Sequence, residues 1–272
     1  MSQTLAELAE LAELIAEENI IRGQVNLEKI AKKKKITIIE GDYGNYFLGE
    51  LVHKAGKFYI YLNREQLDPK VPGRKRFTIA HEYGHFFNDD HRNKLKQGIS
   101  LAHTADYNLF SKNPIEMEAN HFASNLLLPK GRFLKMCTKL EPGFEAVLAL
   151  KEKFNTSIEG TAIRYISLNI LPCMFIKWKA DLSCKYASYT PSLSLLTGLK
   201  GKPAIKVNTT YLEEIYQIYE NDLPKEGFVE RVTSLSKWVG TILPNSRTDL
   251  MGLEQTIKTG DYGGITFLVF QQ

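Results

Sequence analysis

One pentapeptide, His81-Glu82-Tyr83-Gly84-His85, restricts this 272-residue chain more than any other feature. On an α-helix, residues four apart differ by only about 40° in azimuth, so the two imidazoles face one point, and Glu82 lies about 60° from His85 on the same flank. That is the arrangement in which two histidines grip a zinc ion while a carboxylate reaches a water on the metal without ligating it. The competing reading is a pair of hydrogen-bonded core histidines. Phe77-Thr-Ile-Ala80 before the pentapeptide and Phe86-Phe87 after it supply the apolar face of a half-buried helix, which favours the metal site.

A catalytic zinc takes a third protein ligand and keeps a fourth position for water. The nearest downstream carboxylates on a helical segment are Glu116 and Glu118, within Ile115 to Leu128, which Pro129 closes. Two residues apart on a helix diverge by about 200°, so only one can point at the metal. Glu116 shares its face with Asn120, an amide able to orient a ligand, and Ala119 and Ala123 would let the two helices approach closely. Glu116 is therefore the expected ligand and Glu118 the reserve, while His121, about 140° from Glu116, is not expected to bind. His91, His103 and Tyr107, in what reads as a polar loop from Asn88 to Pro114, are oxyanion-stabilising candidates by chemistry alone, and each is more simply a surface residue.

Around this centre the chain reads as mixed. Leu5 to Ile15 is an amphipathic helix, and Leu27 to Ala31 a short one that runs into Lys32 to Lys35, a solvated helix end or a patch for an acidic partner. Ile36 to Ile39 is a strand. Gly49 to Val52 and Lys57 to Leu62 form a hairpin across His53-Lys-Ala-Gly56; with Lys57 to Leu62 at the sheet edge, a substrate could add to it as an extra strand. Phe144 to Lys153 and Ile158 to Leu168 are helices joined at Asn155-Thr-Ser157, with capping-box spacing from Thr156 to Glu159. A Ser, Thr, Lys, Gly and Pro-rich stretch near Lys179 to Lys202 marks a boundary. Beyond it, Tyr211 to Tyr219 and Phe228 to Ile242 read as helices, and Gly264 to Phe270 as a strand. Three parts follow: residues 1–142 around the metal site, 143–180 helical, and 181–272 a C-terminal domain with no motif to which chemistry attaches.

Several classes are excluded. No apolar run reaches the roughly 18 residues of a membrane span, and the Leu/Ala/Glu alternation of the first residues is not a secretory signal. A net charge of +4, from 35 basic against 31 acidic residues, is too small to argue for nucleic acid or membrane. Cys137, Cys173 and Cys184 lack disulfide or thiolate-metal spacing, which fits a reducing cytoplasm.

Arg74-x-Arg-Phe-Thr-Ile-Ala-His-Glu-x-Gly-His85, followed by Glu116-x-x-Ala-Asn-x-Phe-Ala-x-x-Leu-Leu-x-Pro129, resembles the ImmA/IrrE family of zinc metallopeptidases. Asn63 and the Gly49 hairpin extend the similarity over roughly Val25 to Leu171. The resemblance implies that His81, His85 and Glu116 bind Zn2+ and that Glu82 is the catalytic base. It further implies cleavage of a helix-turn-helix transcriptional repressor, which would derepress stress-response or mobile-element genes. The expected fold is α+β: a zincin-like metallopeptidase core with the HExxH helix and a small mixed sheet, a helix-turn-helix-like extension and a separate α/β C-terminal domain, to which the resemblance gives a sensor or regulatory role. The alternative is a non-proteolytic regulator that sequesters a repressor or binds DNA. The second helix of the pair offers only Arg164 as a cation among Ile158, Ala162, Ile163, Tyr165 and Ile166, so direct DNA contact is not expected, and the partner is a protein.

Overall fold

A computed structural model describes residues 3–67, 69, 71–101, 113–222, 227–240, 250–259 and 263–270. It divides into two units, Met1–Lys135 with Leu150–Gly160, and Met136–Ala149 with Thr161–Gln272. No described helix is long and apolar enough to cross a membrane.

The first unit opens with α1 (Leu5–Glu18), started by a capping box between Thr4 and Glu7 that satisfies two otherwise orphaned backbone donors. Its buried stripe is Leu8, Ala12, Ile15 and Ala16. A short ribbon of β1 (Ile20–Ile21) and β2 (Gln24–Val25) leads to α2 (Leu27–Lys34), capped by Asn26 and ended by Lys35 in the left-handed region at φ 56°. The lysine run is thus the helix end, where cations suit the exposed carbonyls.

Next come β3 (Ile36–Gly41), β4 (Gly49–Lys54) and β5 (Lys57–Asn63), in the order β3-β5-β4, with β3 parallel and β4 antiparallel to β5. The expected hairpin forms, and its turn is the pair Ala55 and Gly56 at φ 50° and 74°, the left-handed geometry that matches strand twist. The edge assignment is corrected. Lys57–Asn63 is the central strand, because the parallel pairing of β3 occupies its second side, and the free edges among the described residues belong to β3 and β4. Phe58, Ile60 and Leu62 alternate onto one face; Ile60 and Leu62 are fully buried, each contributing about 1.5–3 kcal/mol by leaving water.

That face packs on α3 (Pro72–Phe87), with Phe58 edge-on to Phe86 at 5.0 Å. Then follow α4 (Asp89–Lys96), α5 (Pro114–Leu127), α6 (Lys130–Cys137), α7 (Phe144–Phe154) and α8 (Ile158–Ser167). Helix α4 replaces the start of the expected polar loop: Asn88 caps it, Asp89 and Asp90 occupy its first turn, and Lys94 and Lys96 its last. At α8 the hydroxyl of Ser157, one residue later than the Thr156 of the expected box, accepts from the Gly160 amide at 3.0 Å.

The second unit is built on an antiparallel sheet. Its elements are β6 (Cys173–Trp178), β7 (Cys184–Tyr189), α9 (Pro191–Thr197), α10 (Thr209–Asp222), β8 (Val229–Ser234), α11 (Leu235–Trp238), β9 (Met251–Lys258) and β10 (Gly264–Val269). The strand order is β7-β6-β10-β9-β8. Met174, Ile176, Trp178 and Leu268 join Leu193, Leu212 and Trp238 in one core, while Phe267 on the opposite face meets Phe144 and Tyr165. The helix expected over Phe228 to Ile242 is corrected: Val229–Ser234 is a strand, since its Val and Thr residues suit an extended backbone, and only Leu235–Trp238 is helical before the described residues stop at 240.

Candidate metal centre

Helix α3 carries His81, Glu82 and His85, all fully buried, and α5 brings Glu116 in its first turn. Three small residues allow the helices to meet. A Cβ at Gly84 would lie 2.7 Å from the Cα of Ala119, and Ala119 and Ala123 are completely buried. Phe87 stacks on Phe122 at 5.4 Å, and one turn earlier on the same face of α3 Tyr83, whose ring is 6.4 Å from that of Phe87, donates its hydroxyl to the Leu27 carbonyl at 2.7 Å. These contacts anchor the face of α3 that lies away from the histidines.

One ligand-capable atom from each of His81, His85 and Glu116 lies within 4.8 Å of the others. The Nε2 atoms of His81 and His85 are 3.1 Å apart, and Glu116 places Oε2 3.3 Å from His81 Nε2 and Oε1 3.7 Å from His85 Nε2. A tetrahedral zinc with bonds of about 2.0–2.1 Å separates neighbouring ligand atoms by about 3.3 Å, so the three side chains already stand near its edges. Glu116 Oε1 is buried without a hydrogen-bond donor, a costly state for a carboxylate oxygen that a divalent cation would relieve. Asn120 fixes one ring, its Oδ1 lying 2.9 Å from His81 Nδ1. With the proton on Nδ1, His81 turns a bare Nε2 towards the centre. Among described residues, this His2Glu set is the group of such side chains able to hold a metal, and it fits zinc.

Glu118, the reserve ligand, points elsewhere. Its Oε2 accepts from Asn88 Nδ2 at 2.7 Å and lies 3.1 Å from His91 Nε2. His91 is not a surface residue: it is 2% exposed, and its Nδ1 is 3.1 Å from His85 Nδ1. Burial, helped by Lys94, pushes its pKa down to about 4. Sequence reasoning missed this chain of contacts; the Asn-Asp-Asp start and lysine-rich end of α4 were the signal that His91 sits on a helix. His103 and Tyr107 lie outside the described residues. His121 is not among the clustered groups.

Asn63 shapes the approach to the sheet. Fully buried, it donates to the carbonyls of Gly44 at 2.6 Å and Phe47 at 2.9 Å, and accepts from the Tyr43 amide at 3.3 Å, so the β3–β4 connection is folded around one side chain.

Comparison with known proteins adds three findings. The family profile described as the IrrE N-terminal-like domain, peptidase M78, matches residues 31–165. No curated protein matches the sequence. Among solved structures, a Mycobacterium tuberculosis transcriptional regulator is similar in fold, with a TM-score of 0.59 at 15% identity, covering 97% of this chain and 76% of that one.

Proposed function

The chain belongs, through residues 31–165, to the IrrE N-terminal-like family of M78 peptidases, and on that premise we propose that it is a zinc-dependent endopeptidase acting on a protein partner. The observation that carries this reading is the buried meeting of His81, His85 and Glu116, with Glu82 on the same helical turn. His81, His85 and Glu116 would hold the ion. Zinc so bound supplies a Lewis acid for the scissile carbonyl and acidifies a water at neutral pH. Glu82 takes the proton of the attacking water and passes it to the leaving nitrogen; the water oxygen joins the carbonyl carbon, the C–N bond breaks, and a carboxylate and an amine leave.

The partner we propose, after the two motif blocks, is a helix-turn-helix transcriptional repressor, cut in the cytoplasm to release stress or mobile-element genes. An extended stretch of it would add to the free edge of β4, which packs beside α3. Direct DNA reading by α7 and α8 has little support: Arg164 is 6% exposed, and Phe144 and Tyr165 are turned to the sheet.

The test is co-incubation of the full-length protein and zinc with the repressor encoded nearest to it, with fragments mapped by mass. Glu82→Gln should keep zinc and the partner and lose cleavage by about 10²–10⁴-fold. If the Glu82→Gln protein relieves repression as well as the unaltered one, the chain is a sequestering regulator and the peptidase reading fails.

A further inference from the structure

We infer that His91 and Glu118 are positioning residues that lock the proton of His85 on Nδ1 and so turn its Nε2 lone pair to the metal. The inference rests on the zinc reading above and adds a second polar layer behind one ligand.

The argument follows the protons. Asn88 caps α4: its Oδ1 accepts from the amides of Asp90 at 3.0 Å and His91 at 3.3 Å. That cap decides which end of the amide is oxygen, so the group facing Glu118 is the NH2, which donates to Oε2 at 2.7 Å. The same carboxylate oxygen lies 3.1 Å from His91 Nε2. An ionised carboxylate has no proton to give, so His91 carries its proton on Nε2 and donates. The neutral ring then has a lone pair on Nδ1, 3.1 Å from His85 Nδ1. Two lone pairs would repel at that distance, so His85 holds its proton on Nδ1 and donates to His91. That leaves His85 Nε2 to offer its lone pair to the ion that His81 Nε2, 3.1 Å away, and Glu116 would share; a cation between them is what reconciles the two facing lone pairs.

The two histidine ligands are thus oriented by different devices. His81 leans on one neutral amide, Asn120, whereas His85 leans on a second imidazole with a carboxylate behind it. Negative charge relayed through His91 raises the electron density on the His85 ring and strengthens it as a ligand. Burial of His91 at 2% exposure keeps water from substituting for the relay. The local sequence serves the same end: α4 starts directly after α3, with Asn88 as both the C-cap of one and the N-cap of the other, which fixes His91 relative to His85.

The experiment measures zinc affinity of the full-length chain by chelator competition, and the hydrogen bond of the His85 Nδ1 proton by ¹H–¹⁵N NMR on the zinc-loaded protein. Outer hydrogen-bond partners of this kind are worth about 10–100-fold in metal affinity. Glu118→Leu and His91→Phe should each weaken zinc by about that factor, and in His91→Phe the His85 Nδ1 proton, having lost its acceptor, should move upfield and exchange faster with water. Glu118→Gln keeps an acceptor oxygen and should restore most of the affinity. Matching circular dichroism and melting of the metal-free forms excludes a general loss of fold. Unchanged zinc affinity in both Glu118→Leu and His91→Phe, or a His85 Nδ1 proton unchanged in shift and exchange in His91→Phe, overturns the relay. An unaltered protein that binds no zinc overturns the metal centre itself, an outcome read before any variant is made.

Discussion

Gly84 on α3 faces Ala119 on α5 so closely that a Cβ at Gly84 would sit 2.7 Å from the Ala119 Cα and 2.8 Å from its carbonyl oxygen. The bare backbone is therefore part of the candidate metal centre, since it sets how near Glu116 comes to His81 and His85. Helix propensity alone would make Gly84→Ala stabilising by about 1 kcal/mol. The clash involves backbone on both sides and should win, giving a net loss of about 1–3 kcal/mol in urea unfolding and weaker zinc binding. A stabilised variant with full zinc affinity would show that the helices have room to separate.

Asn63 is expected to be costly to remove. Asn63→Ala removes three part-buried hydrogen bonds, to the carbonyls of Gly44 and Phe47 and from the amide of Tyr43, of which Gly44 keeps Gln66 as a second donor; each is worth about 0.5–1.5 kcal/mol. Urea denaturation gives the loss, and amide exchange should quicken across residues 43–47. A change below a few tenths of a kcal/mol would mean that water replaces the side chain.

In the second unit, Glu254 is 1% exposed and accepts from the Tyr211 hydroxyl. Burial raises its pKa above the ordinary 4.5, and the Tyr211 bond opposes this only in part. The folded state thus holds the proton to higher pH than the unfolded chain, so stability is full below the ordinary value and declines as pH rises through the raised one. Glu254→Gln removes that decline while leaving Tyr211 an acceptor. The variant should be the more stable form at pH 7 and lose its advantage towards pH 4, as read from melting temperatures at both pH values. An advantage that persists unchanged to pH 4 would contradict the raised carboxyl.

Substrate addition to β4 can be read by hydrogen exchange. A complex of the Glu82→Gln protein with its partner should protect amides within Gly49–Lys54 and leave those of Ile36–Gly41 unaffected. Protection of Ile36–Gly41 instead would place the partner on the far edge of the sheet.

The clustering of His81, His85 and Glu116 was legible because its pieces repeat at helical spacing: His81 and His85 one turn apart, Glu116 and Asn120 one turn apart, with small residues between the helices. The role of Asn120 was read as ligand orientation, and it is His81 that it contacts. Strand order was not legible. Alternation in Lys57 to Leu62 shows a face to bury but not which neighbours pair with it, and the parallel partner Ile36–Gly41 lies across an intervening strand. His91 was misplaced because Asp89–Lys96 is so polar that it resembles a loop, although its capping and end charges spell a helix. Val229–Ser234 was misread since its strand identity comes from pairing with Met251–Lys258, not from local periodicity.

The backbone passes between the two units three times, after Lys135, after Ala149 and after Gly160, and the helix Phe144–Phe154 is shared out between them. Neither half can be inherited, transplanted or expressed by a single cut in the gene. A truncation after residue 180 would discard four of the five strands of the larger sheet and strand Met174, Ile176 and Trp178 without their lining. Such a fragment would be sticky before it was informative, so the second unit is better interrogated by point changes than by deletion.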